Sequence, residues 1–403
     1  MLRDKTLAGL ILAVVLMMTG VGMIVAVLPQ RIADLDGNGR SVGYLASAFA
    51  FSYLMLQVPI GSLADRAGFK PLLILGYLLC FLAGLVFFFA TSSKTIFFAR
   101  FLQGAGEAPV WALAPAFLSL KFPSAKGQVM GIYNAAMHFG LMLGPISGVT
   151  LAQVWKNHDV SLIYAFSCLA GAIAIWLLVE SPAQAGKPVP AAGLVHLPSL
   201  VRLIRQRRIL ISLLGITLYG AGYGGFITAI PAFLLQEKAF SPAQLGLFFS
   251  LFYVAISLSQ VITGPLSDRF GRSIFMIWGL LIAAAGIGVT PLFGFPLILP
   301  VLAVAGLGAG VFYLASMTFL NESVPDSFKG TVSGAYYLFW GVGMLAGPPI
   351  MTEVAAASSF QVSLAGYSFL LLLVAGAMAK TLGWKTPGGC AKPQTGVRDS
   401  GAD

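Results

Sequence analysis

Long apolar stretches recur along the whole chain, and the charged and turn-forming residues are concentrated in the short segments between them. Each stretch has about 20 residues, which as a helix crosses a hydrocarbon core of roughly 30 Å. The stretches are continuously apolar and do not alternate with period two, which favours helices. In lipid every backbone polar group must be paired, and a helix achieves this within one segment. We predict twelve membrane-spanning helices, at 7–29, 41–63, 72–91, 95–118, 128–153, 161–180, 210–235, 242–263, 273–292, 296–320, 330–353 and 360–383.

The composition leads to the same class of protein. Of the 403 residues, 58% are hydrophobic and only 9% are charged, whereas soluble domains carry roughly 25% charged residues. The chain could not cover a water-facing surface, so we expect an integral, multi-pass membrane protein. The first apolar run follows Arg3 and Lys5 but leads to no small-residue cleavage site, so we expect a retained helix rather than a signal peptide.

The positive charges are distributed unevenly over the predicted loops. If the N-terminus is cytosolic, most Lys and Arg residues fall on the cytosolic side, and only Arg31, Arg40, Lys94, Lys156 and Lys238 fall outside. This asymmetry follows the positive-inside rule and predicts both termini in the cytosol, in a bacterial inner (plasma) membrane. The net charge of +10 therefore reflects topology and does not indicate nucleic acid as a partner.

Metal, disulfide and enzyme chemistry find no support in the sequence. Two of the three cysteines lie in predicted helices and the three histidines are scattered, so neither a metal site nor a disulfide framework is predicted. Residues 220–225 match the pattern GxGxxG, but they lie inside a predicted span and lack the preceding strand that dinucleotide binding requires. We expect no cofactor and no enzymatic activity.

One ten-residue segment occurs twice in altered form. GSLADRAGFK at 61–70 returns as GPLSDRFGRS at 264–273, an offset (264 − 61 = 203) of about half the chain. The same offset relates Gly43 to Gly246, and Pro145 to Pro348. A duplicated half in a very apolar chain is typical of transporters built from two bundles. We therefore predict an all-α membrane protein whose twelve transmembrane helices form two pseudo-symmetric six-helix bundles, at 1–180 and 210–384.

The two predicted bundles are joined by a linker at 181–209. Its last part, 198–210, alternates four arginines with apolar residues, as a helix lying on an anionic membrane surface does. A charge cluster that only fixes the topology of the seventh span explains the pattern equally well, and both alternatives stay open. The tail at 385–403 is rich in Gly, Pro and Lys and is expected to be disordered.

Several of these segments resemble motifs of the major facilitator superfamily. The repeated segment resembles the family's loop between helices two and three and its counterpart between helices eight and nine. RFLQGAG at 100–106 is similar to the fourth-helix motif, and GLMLGPISG at 140–148 to the fifth-helix motif of the drug/proton antiporter branch. Val149 stands where that motif has a second glycine. The resemblance covers the whole chain and implies a twelve-helix transporter, most like the drug/proton antiporters.

The repeated loops have a physical interpretation as gates. Asp65 is expected where the eleventh helix begins and Asp268 where the fifth begins, and a carboxylate at a helix N-terminus is favoured by about 0.3–1 kcal/mol. Two such contacts would latch the halves on the cytosolic side in the outward-open state. Gly61 and Gly68 would allow tight turns. Simple topology signals are the alternative. The predicted gating residues are Gly61, Asp65, Arg66, Gly68, Lys70, Gly264, Asp268, Arg269, Gly271 and Arg272.

The fifth predicted helix carries a face of small residues. Gly140, Gly144 and Gly148 recur every four residues, which lets another helix approach closely. Pro145 removes one backbone hydrogen bond and favours a bend. Simple helix packing and a hinge or seal between the halves are equally compatible with this pattern.

Charged residues inside a predicted span are candidates for function, because a charge at the centre of a membrane helix costs roughly 2.5–3.5 kcal/mol. Arg100 and Glu107 lie seven residues apart on one face of the fourth helix. Burial favours the neutral form of a carboxyl group and a guanidinium favours the ionised form, so a conformational change could load and release a proton at Glu107. His138 on the fifth helix is a second candidate carrier, since histidine titrates at about pH 6.5. A static pair of Arg100 and Glu107 and a buried neutral histidine are the alternatives.

Polar and aromatic residues on the helices that line the cavity in this superfamily are candidates for substrate contact. An apolar and aromatic lining suits lipophilic or amphipathic solutes. Each of these residues could instead pack against a neighbouring helix. The candidates are Tyr53, Gln57, Asn134, Tyr219, Tyr223, Gln260, Tyr313 and Tyr336.

We therefore predict a secondary transporter working by alternating access, acting as a monomer in the lipid bilayer. Its expected activity is proton-coupled export of lipophilic or amphipathic small molecules. The rival hypothesis is a proton-coupled symporter of organic anions or lysolipid-type amphiphiles, with Arg100 binding the anionic group. A receptor-like or scaffold membrane protein is the non-transport rival, although a scaffold has no need of the paired loops.

Overall fold

The computed structural model of the chain describes residues 4–36, 40–122, 126–154, 159–180, 205–324 and 329–383. These residues form twelve long helices. They are α1 (Lys5–Asp36), α2 (Tyr44–Ala67), α3 (Phe69–Phe89), α4 (Ser93–Lys121), α5 (Lys126–Val154), α6 (Val160–Leu178), α7 (Arg207–Gln236), α8 (Pro242–Phe270), α9 (Arg272–Val289), α10 (Ile298–Glu322), α11 (Lys329–Ala357) and α12 (Phe360–Leu382). The linker from 181 to 204, with most of its predicted amphipathic helix, and the predicted tail lie outside the described residues.

The twelve helices correspond one to one with the predicted spans. Within the described residues, nine are long and apolar enough to cross a membrane by length and composition. The other three are α2, whose described side chains give a shorter apolar segment at Ser41–Leu56, α4 and α11. Of these, α4 carries the two charges at Arg100 and Glu107, which lower its apolar character. These three helices still pack in the same bundles as the other nine.

The packing of α7–α12 repeats the packing of α1–α6. In the first bundle α1 contacts α5 and α6, α4 contacts α2 and α3, and α3 contacts α6. In the second bundle α7 contacts α11 and α12, α10 contacts α8 and α9, and α9 contacts α12. The bundles meet where α2 packs on α11 and α5 on α8, and these two contacts are themselves related by the repeat. The prediction of two pseudo-symmetric six-helix bundles is confirmed.

The repeated loops lie at one end of the molecule, which we call the motif end, and the opposite end is the distal end. Gly68 joins α2 to α3 with φ of 81°, and its repeat partner Gly271 joins α8 to α9 with φ of 95°. Only glycine adopts such backbone angles readily. Gly61 does not form a turn as predicted, because α2 continues as a helix through it to Ala67, and its repeat partner Gly264 is likewise helical within α8.

The glycine face of α5 packs inside the first bundle. A side chain at Gly140, Gly144 or Gly148 would meet α1, with the Gly22 Cα 2.7 Å from a Cβ at Gly144. The predicted seal between the halves is therefore wrong for these glycines, since the face of α5 that meets the second bundle carries Pro145 and Val149 instead. The interpretation as close helix packing is the one that the contacts support.

Helix α7 consists of two segments that meet at Thr228. Pro231 lacks the backbone N–H that would bond to Ile227 O, which accounts for the interruption. The GxGxxG stretch lies within the first segment, where Gly220 packs on the backbone of Trp340 and Gly224 on Pro348. These glycines bring α7 close to α11, and the helical conformation excludes a dinucleotide-binding turn.

Candidate functional site

A cavity of about 130 Å³ lies between the two bundles. Its described lining comes from α1, α2, α4 and α5 of the first bundle and from α7, α8, α10 and α11 of the second, which are repeat-related sets of helices. Seven predicted contact residues line it, namely Tyr53, Asn134, Tyr219, Tyr223, Gln260, Tyr313 and Tyr336. The side chain of the eighth, Gln57, lies outside the described part of the chain. A role in substrate binding stays a prediction for all eight.

A buried chain of polar side chains runs along α4 on the wall of this cavity. Arg100 Nη1 donates to Gln103 Oε1 over 2.8 Å, and Gln103 Nε2 donates to Glu107 Oε1 over 2.9 Å. Trp111 Nε1 donates to the other carboxyl oxygen, Glu107 Oε2, over 3.0 Å. Arg100, Gln103 and Glu107 are 4%, 0% and 3% exposed. The helical spacing of three and four residues places all four side chains on one face.

The link between Arg100 and Glu107 therefore runs through Gln103. The sequence interpretation treated the two charges as a directly interacting pair and missed both Gln103 and Trp111. Their signal was present, because both residues stand three or four positions from a buried charge on the same helical face. A neutral bridge of this kind holds the carboxyl group in place without fixing its charge, since an amide N–H can donate to an ionised or a neutral oxygen.

Arg100 is held mainly by its own bundle. Its Nε donates to Leu45 O of α2 over 3.1 Å, and its guanidinium carbon lies 5.0 Å from the centre of the Phe49 ring. The guanidinium thus joins α4 to α2, whose opposite face packs on α11 of the second bundle. A displacement of α2 relative to α4 within the first bundle would act directly on the environment of Arg100.

His138 of α5 also lies on the cavity wall. Its Nδ1 is 2.9 Å from Asn134 O. A carbonyl oxygen can only accept, so Nδ1 carries the hydrogen and the neutral ring has its lone pair on Nε2. The imidazole therefore has one nitrogen left to accept a proton or a donor group of a solute. Its position on α5 places this group in the first bundle, together with Glu107.

The second bundle contributes a wall of aromatic rings. Tyr219 and Tyr313 have ring centres 5.5 Å apart, Tyr223 and Trp340 5.9 Å apart, and Tyr313 and Tyr336 6.0 Å apart. Across the boundary between the bundles, Trp340 lies 6.0 Å from Tyr53 of α2. The sequence interpretation missed several aromatic residues of the cavity lining, namely Phe49, Tyr253, Tyr337 and Trp340. Some of them stand one helical turn from a residue that it found, as Phe49 does from Tyr53.

At the distal end the two bundles are in close contact. A Cβ at Gly246 of α8 would lie 3.1 Å from Val149 Cβ of α5, and a Cβ at Gly43 would lie 3.0 Å from Thr352 Cβ of α11. The two contacts are related by the 203-residue offset. The Tyr44 hydroxyl adds a hydrogen bond of 2.9 Å to a carboxyl oxygen of Glu353. These contacts hold the two bundles together at the distal end.

Toward the motif end the same face of α8 becomes uncovered. Gly246 and Ser250 are buried against α5, but Val261, on the same helical face, is 72% exposed. At Gly264, which is also on this face, the nearest atom to a Cβ among the described residues is in Leu314 of its own bundle, at 3.9 Å. The part of the molecule that the structure describes thus has the bundles joined at the distal end and divergent along α8 at the motif end.

The described gating candidates bond within their own bundles in this state. Lys70 Nζ donates to Trp176 O of α6 over 2.8 Å. Arg272 pairs with Asp268 and, over 3.0 Å, with Glu322 at the end of α10. Arg269 lies over the ring of its neighbour Phe270. The side chains of Asp65 and Arg66 lie outside the described part of α2, and the latch stays a prediction.

Two repeated helical bundles around a central cavity with buried ionisable groups define a membrane transporter. The chain belongs to the major facilitator superfamily, because the model described as Major Facilitator Superfamily matches residues 10–237 and 212–389. The resemblance seen in the sequence motifs is confirmed. The protein is a multi-pass membrane transporter of small molecules and not an enzyme.

The individual relatives span different kinds of transport. The probable galactarate/D-glucarate transporter GarP of Escherichia coli (strain K12) is 26% identical over 388 residues, which cover 85% of this chain and 86% of GarP. Multidrug resistance protein 1 of Bacillus subtilis (strain 168) is 23% identical over 395 residues, which cover 96% and 97% of the two chains. The crystal structure of the human organic anion transporter MFSD10 (TETRAN) superposes with a TM-score of 0.68 at 18% identity, covering 93% of this chain and 99% of that one. The structural likeness concerns the fold alone.

Proposed function

We propose that this transporter exports lipophilic or amphipathic small molecules by alternating access, driven by protons that bind at Glu107. The observation that carries the proposal is the position of Glu107. It is buried on the wall of the central cavity, and its two oxygens accept hydrogen bonds only from the neutral donors Gln103 and Trp111 among the described residues. An acid held in this way can change its charge without losing its partners. His138, with Nε2 free of the Asn134 bond, is the second candidate carrier.

Coupling requires that proton binding depend on the conformation of the protein. Arg100 provides this dependence, because its guanidinium is tied both to Gln103 on α4 and to Leu45 O on α2. When α2 moves with respect to α4, the positive charge moves with respect to Glu107. A closer guanidinium favours the ionised carboxylate and a more distant one favours the protonated acid. The proton is thus loaded in one state and released in the other.

The aromatic wall supports a lipophilic or amphipathic solute. Aromatic rings offer large apolar faces with polar edges, and a cavity lined mostly by them binds through burial of apolar surface rather than through paired charges. The likeness to Multidrug resistance protein 1 supports the same substrate class. The lining includes one guanidinium and one carboxyl group, so the cavity carries no excess of either sign among its described residues.

A proton-coupled symporter of organic anions is the second candidate. The relative GarP, a probable transporter of the dicarboxylates galactarate and D-glucarate, favours it, and so does the presence of Arg100 in the lining. Against it, Arg100 is only 4% exposed and already donates from Nε and Nη1 to protein oxygens. Binding an anion would require the guanidinium to leave at least one of these partners.

The motif end is the cytosolic end in this proposal, as the distribution of Lys and Arg indicates. The described conformation, joined at the distal end, is then the inward-facing state. The latch of Asp65 and Asp268 would be released here and engaged in the outward-facing state, which agrees with the bonds of Asp268 to its own loop. The proposed bundles are 1–180 and 210–384, in a bacterial inner membrane.

Transport into proteoliposomes distinguishes the two candidates. Purified protein is reconstituted with ethidium as a lipophilic probe and galactarate as an anionic probe, under imposed pH and Na⁺ gradients. We expect ethidium to move in the direction opposite to the protons, which flow down their imposed gradient. An imposed Na⁺ gradient should have no effect. Uptake of galactarate together with protons, without ethidium transport, would establish the symporter and overturn the export proposal.

A further inference from the structure

Two serine side chains connect the bundles at the distal end. Ser47 Oγ of α2 donates to Leu345 O of α11 over 2.5 Å. Ser250 Oγ of α8 donates to Met142 O of α5 over 3.0 Å. Both hydrogen bonds join the first bundle to the second, and both lie beside the close contacts of Gly43 and Gly246. We call these two hydrogen bonds the serine clasps.

The serine clasps are related by the internal repeat. The donors Ser47 and Ser250 are 203 residues apart, and so are the acceptors Met142 and Leu345. Each clasp therefore connects equivalent positions, but with donor and acceptor exchanged between the bundles. The same contact occurs on both sides of a pseudo-two-fold axis. We therefore interpret it as a feature of the whole interface between the bundles and not of one local packing arrangement.

Serine in a membrane helix ordinarily bonds to its own helix, four residues back. Ser257 of α8 does so with Tyr253 O over 2.7 Å, and Ser147 of α5 does so with Leu143 O over 2.7 Å. Ser47 and Ser250 instead use the neighbouring bundle. In a regular helix the N–H of residue 349 would donate to Leu345 O. Because residue 349 is a proline and has no N–H, Leu345 O is available to accept from Ser47.

Each clasp serine also has an alternative acceptor in its own helix. Four residues before Ser47 is Gly43, and four residues before Ser250 is Gly246, so the carbonyls of the two contact glycines lie within reach of these hydroxyls in a helical geometry. A hydroxyl can rotate from the carbonyl of the other bundle to the carbonyl of its own helix, so the serine itself keeps an acceptor. When the clasps open, the hydroxyls thus stay paired, whereas Leu345 O and Met142 O lose the donor from the other bundle, so the clasps favour the joined state.

We propose that Ser47 and Ser250 form the distal gate of this transporter, and that both hydroxyls exchange acceptors between Leu345 or Met142 and their own helices as the gate opens. The inference rests on the alternating access of the proposed function, but not on its solute or on its proton coupling. The distal gate complements the predicted latch of the motif end, so each end of the molecule has a repeat-related pair of contacts.

Accessibility of the cavity from the distal face tests the gate directly. A single cysteine replaces Met344, which lines the cavity, in a background without the natural cysteines, and a membrane-impermeant maleimide is applied from the distal face. A hydrogen bond of this kind shifts a two-state equilibrium by roughly fivefold to tenfold. We expect Ser47→Ala and Ser250→Ala each to raise the labelling rate by about this factor, and the double variant to raise it further. Ser257→Ala, whose hydroxyl bonds only within α8, is the control.

Cross-linking distinguishes a failure of the serine-gate proposal from a failure of alternating access. Oxidation of Gly246→Cys with Val149→Cys, or of the repeat-related pair Gly43→Cys with Thr352→Cys, should join the bundles and stop transport of the probe that the wild-type protein carries, ethidium or galactarate, until a reductant is added. Continued transport by the cross-linked protein would refute alternating access at this interface. If cross-linking stops transport but the serine variants label at the rate of Ser257→Ala, alternating access stands and the serine gate is refuted.

Discussion

At the scale of single residues, the central feature is an ionisable group, Glu107, kept inside the protein by neutral partners. A charge at the centre of a membrane helix costs roughly 2.5–3.5 kcal/mol, and a hydrogen bond to a charged group contributes about 1.5–3 kcal/mol. Two such bonds on Glu107 are enough to offset the cost of the ionised form. The same bonds remain available when the carboxyl group is neutral, so the site tolerates both states. Gln103 is the residue on which this balance depends most.

The variant Gln103→Leu tests that dependence. It removes the partner of Arg100 Nη1 and of Glu107 Oε1 together, and an unpaired buried polar group costs about 1–3 kcal/mol. We expect the initial rate of pH-driven ethidium transport to fall by about tenfold or more, with protein that still folds and inserts. Gln361→Leu, which alters a surface amide that bonds to Glu237, serves as the control. A transport rate equal to that of the control would show that Gln103 has no part in coupling.

The residue scale also shows what the sequence can predict about the site. Arg100, Glu107 and His138 could be found because ionisable residues in apolar helices are rare and costly. Gln103 and Trp111 were missed because a glutamine or tryptophan in such a helix is ordinary. Their role arises from which rotamers point along the helix face, and that is decided by the packing of α2 against α4. The hydrogen bond from Arg100 to Leu45 O could not be predicted for the same reason.

At the scale of helices, close approach through glycine determines which elements pair. Gly140, Gly144 and Gly148 bring α5 against α1, and Gly343 and Gly347 bring α11 against α7 in the same way. The sequence predicted the close approach but left its partner open, since a glycine face fits any smooth helix. The observed partner lies within the bundle. The face of α5 that meets the other bundle carries Pro145 and Val149, whose contact with Gly246 no pattern in α5 alone indicates.

The variant Gly144→Val should weaken the first bundle. A Cβ at this position would lie 2.7 Å from Gly22 Cα of α1, and backbone atoms cannot yield without separating the helices. Overpacking of this kind costs typically about 1–3 kcal/mol, so we expect a lower unfolding temperature of the detergent-solubilised protein. Gly376→Val on α12, where a Cβ has no heavy atom within 4 Å, is the matched control. Equal unfolding temperatures for the two variants would contradict the packing account.

At the scale of the whole molecule, the architecture is repeated but the chemistry is not. Each helix contact of the first bundle has an equivalent in the second. Gly68 and Gly271 form a repeat-related pair, and so do the two interfaces between the bundles. Arg100, Glu107 and His138 of the cavity lie in the first bundle and have no equivalents in the second, while the aromatic wall lies mainly in the second bundle. The repeat was visible in the sequence because glycine and proline positions persist through duplication. The conformational state was not, because both states share the same helices.

The orientation of the molecule in the membrane that we propose from its charge distribution can be measured. We expect Leu292→Cys, exposed at the distal end, to react with an impermeant maleimide added outside intact cells. Phe270→Cys, exposed at the motif end, should react only after the membrane is permeabilised. Cys390 is replaced by serine in both variants. The reverse labelling pattern would place the motif end outside and invert the assignment of the inward-facing state.

The coupling of transport to protons through Glu107 is tested most directly by measuring ethidium and proton fluxes together in proteoliposomes. The wild-type protein and Glu237→Gln, an exposed carboxylate at the distal end, should move ethidium against an imposed pH gradient and move protons in the opposite direction. Glu107→Gln should move ethidium only down its own gradient, with no proton movement and no response to pH. Undiminished pH-driven ethidium transport by Glu107→Gln would contradict the account.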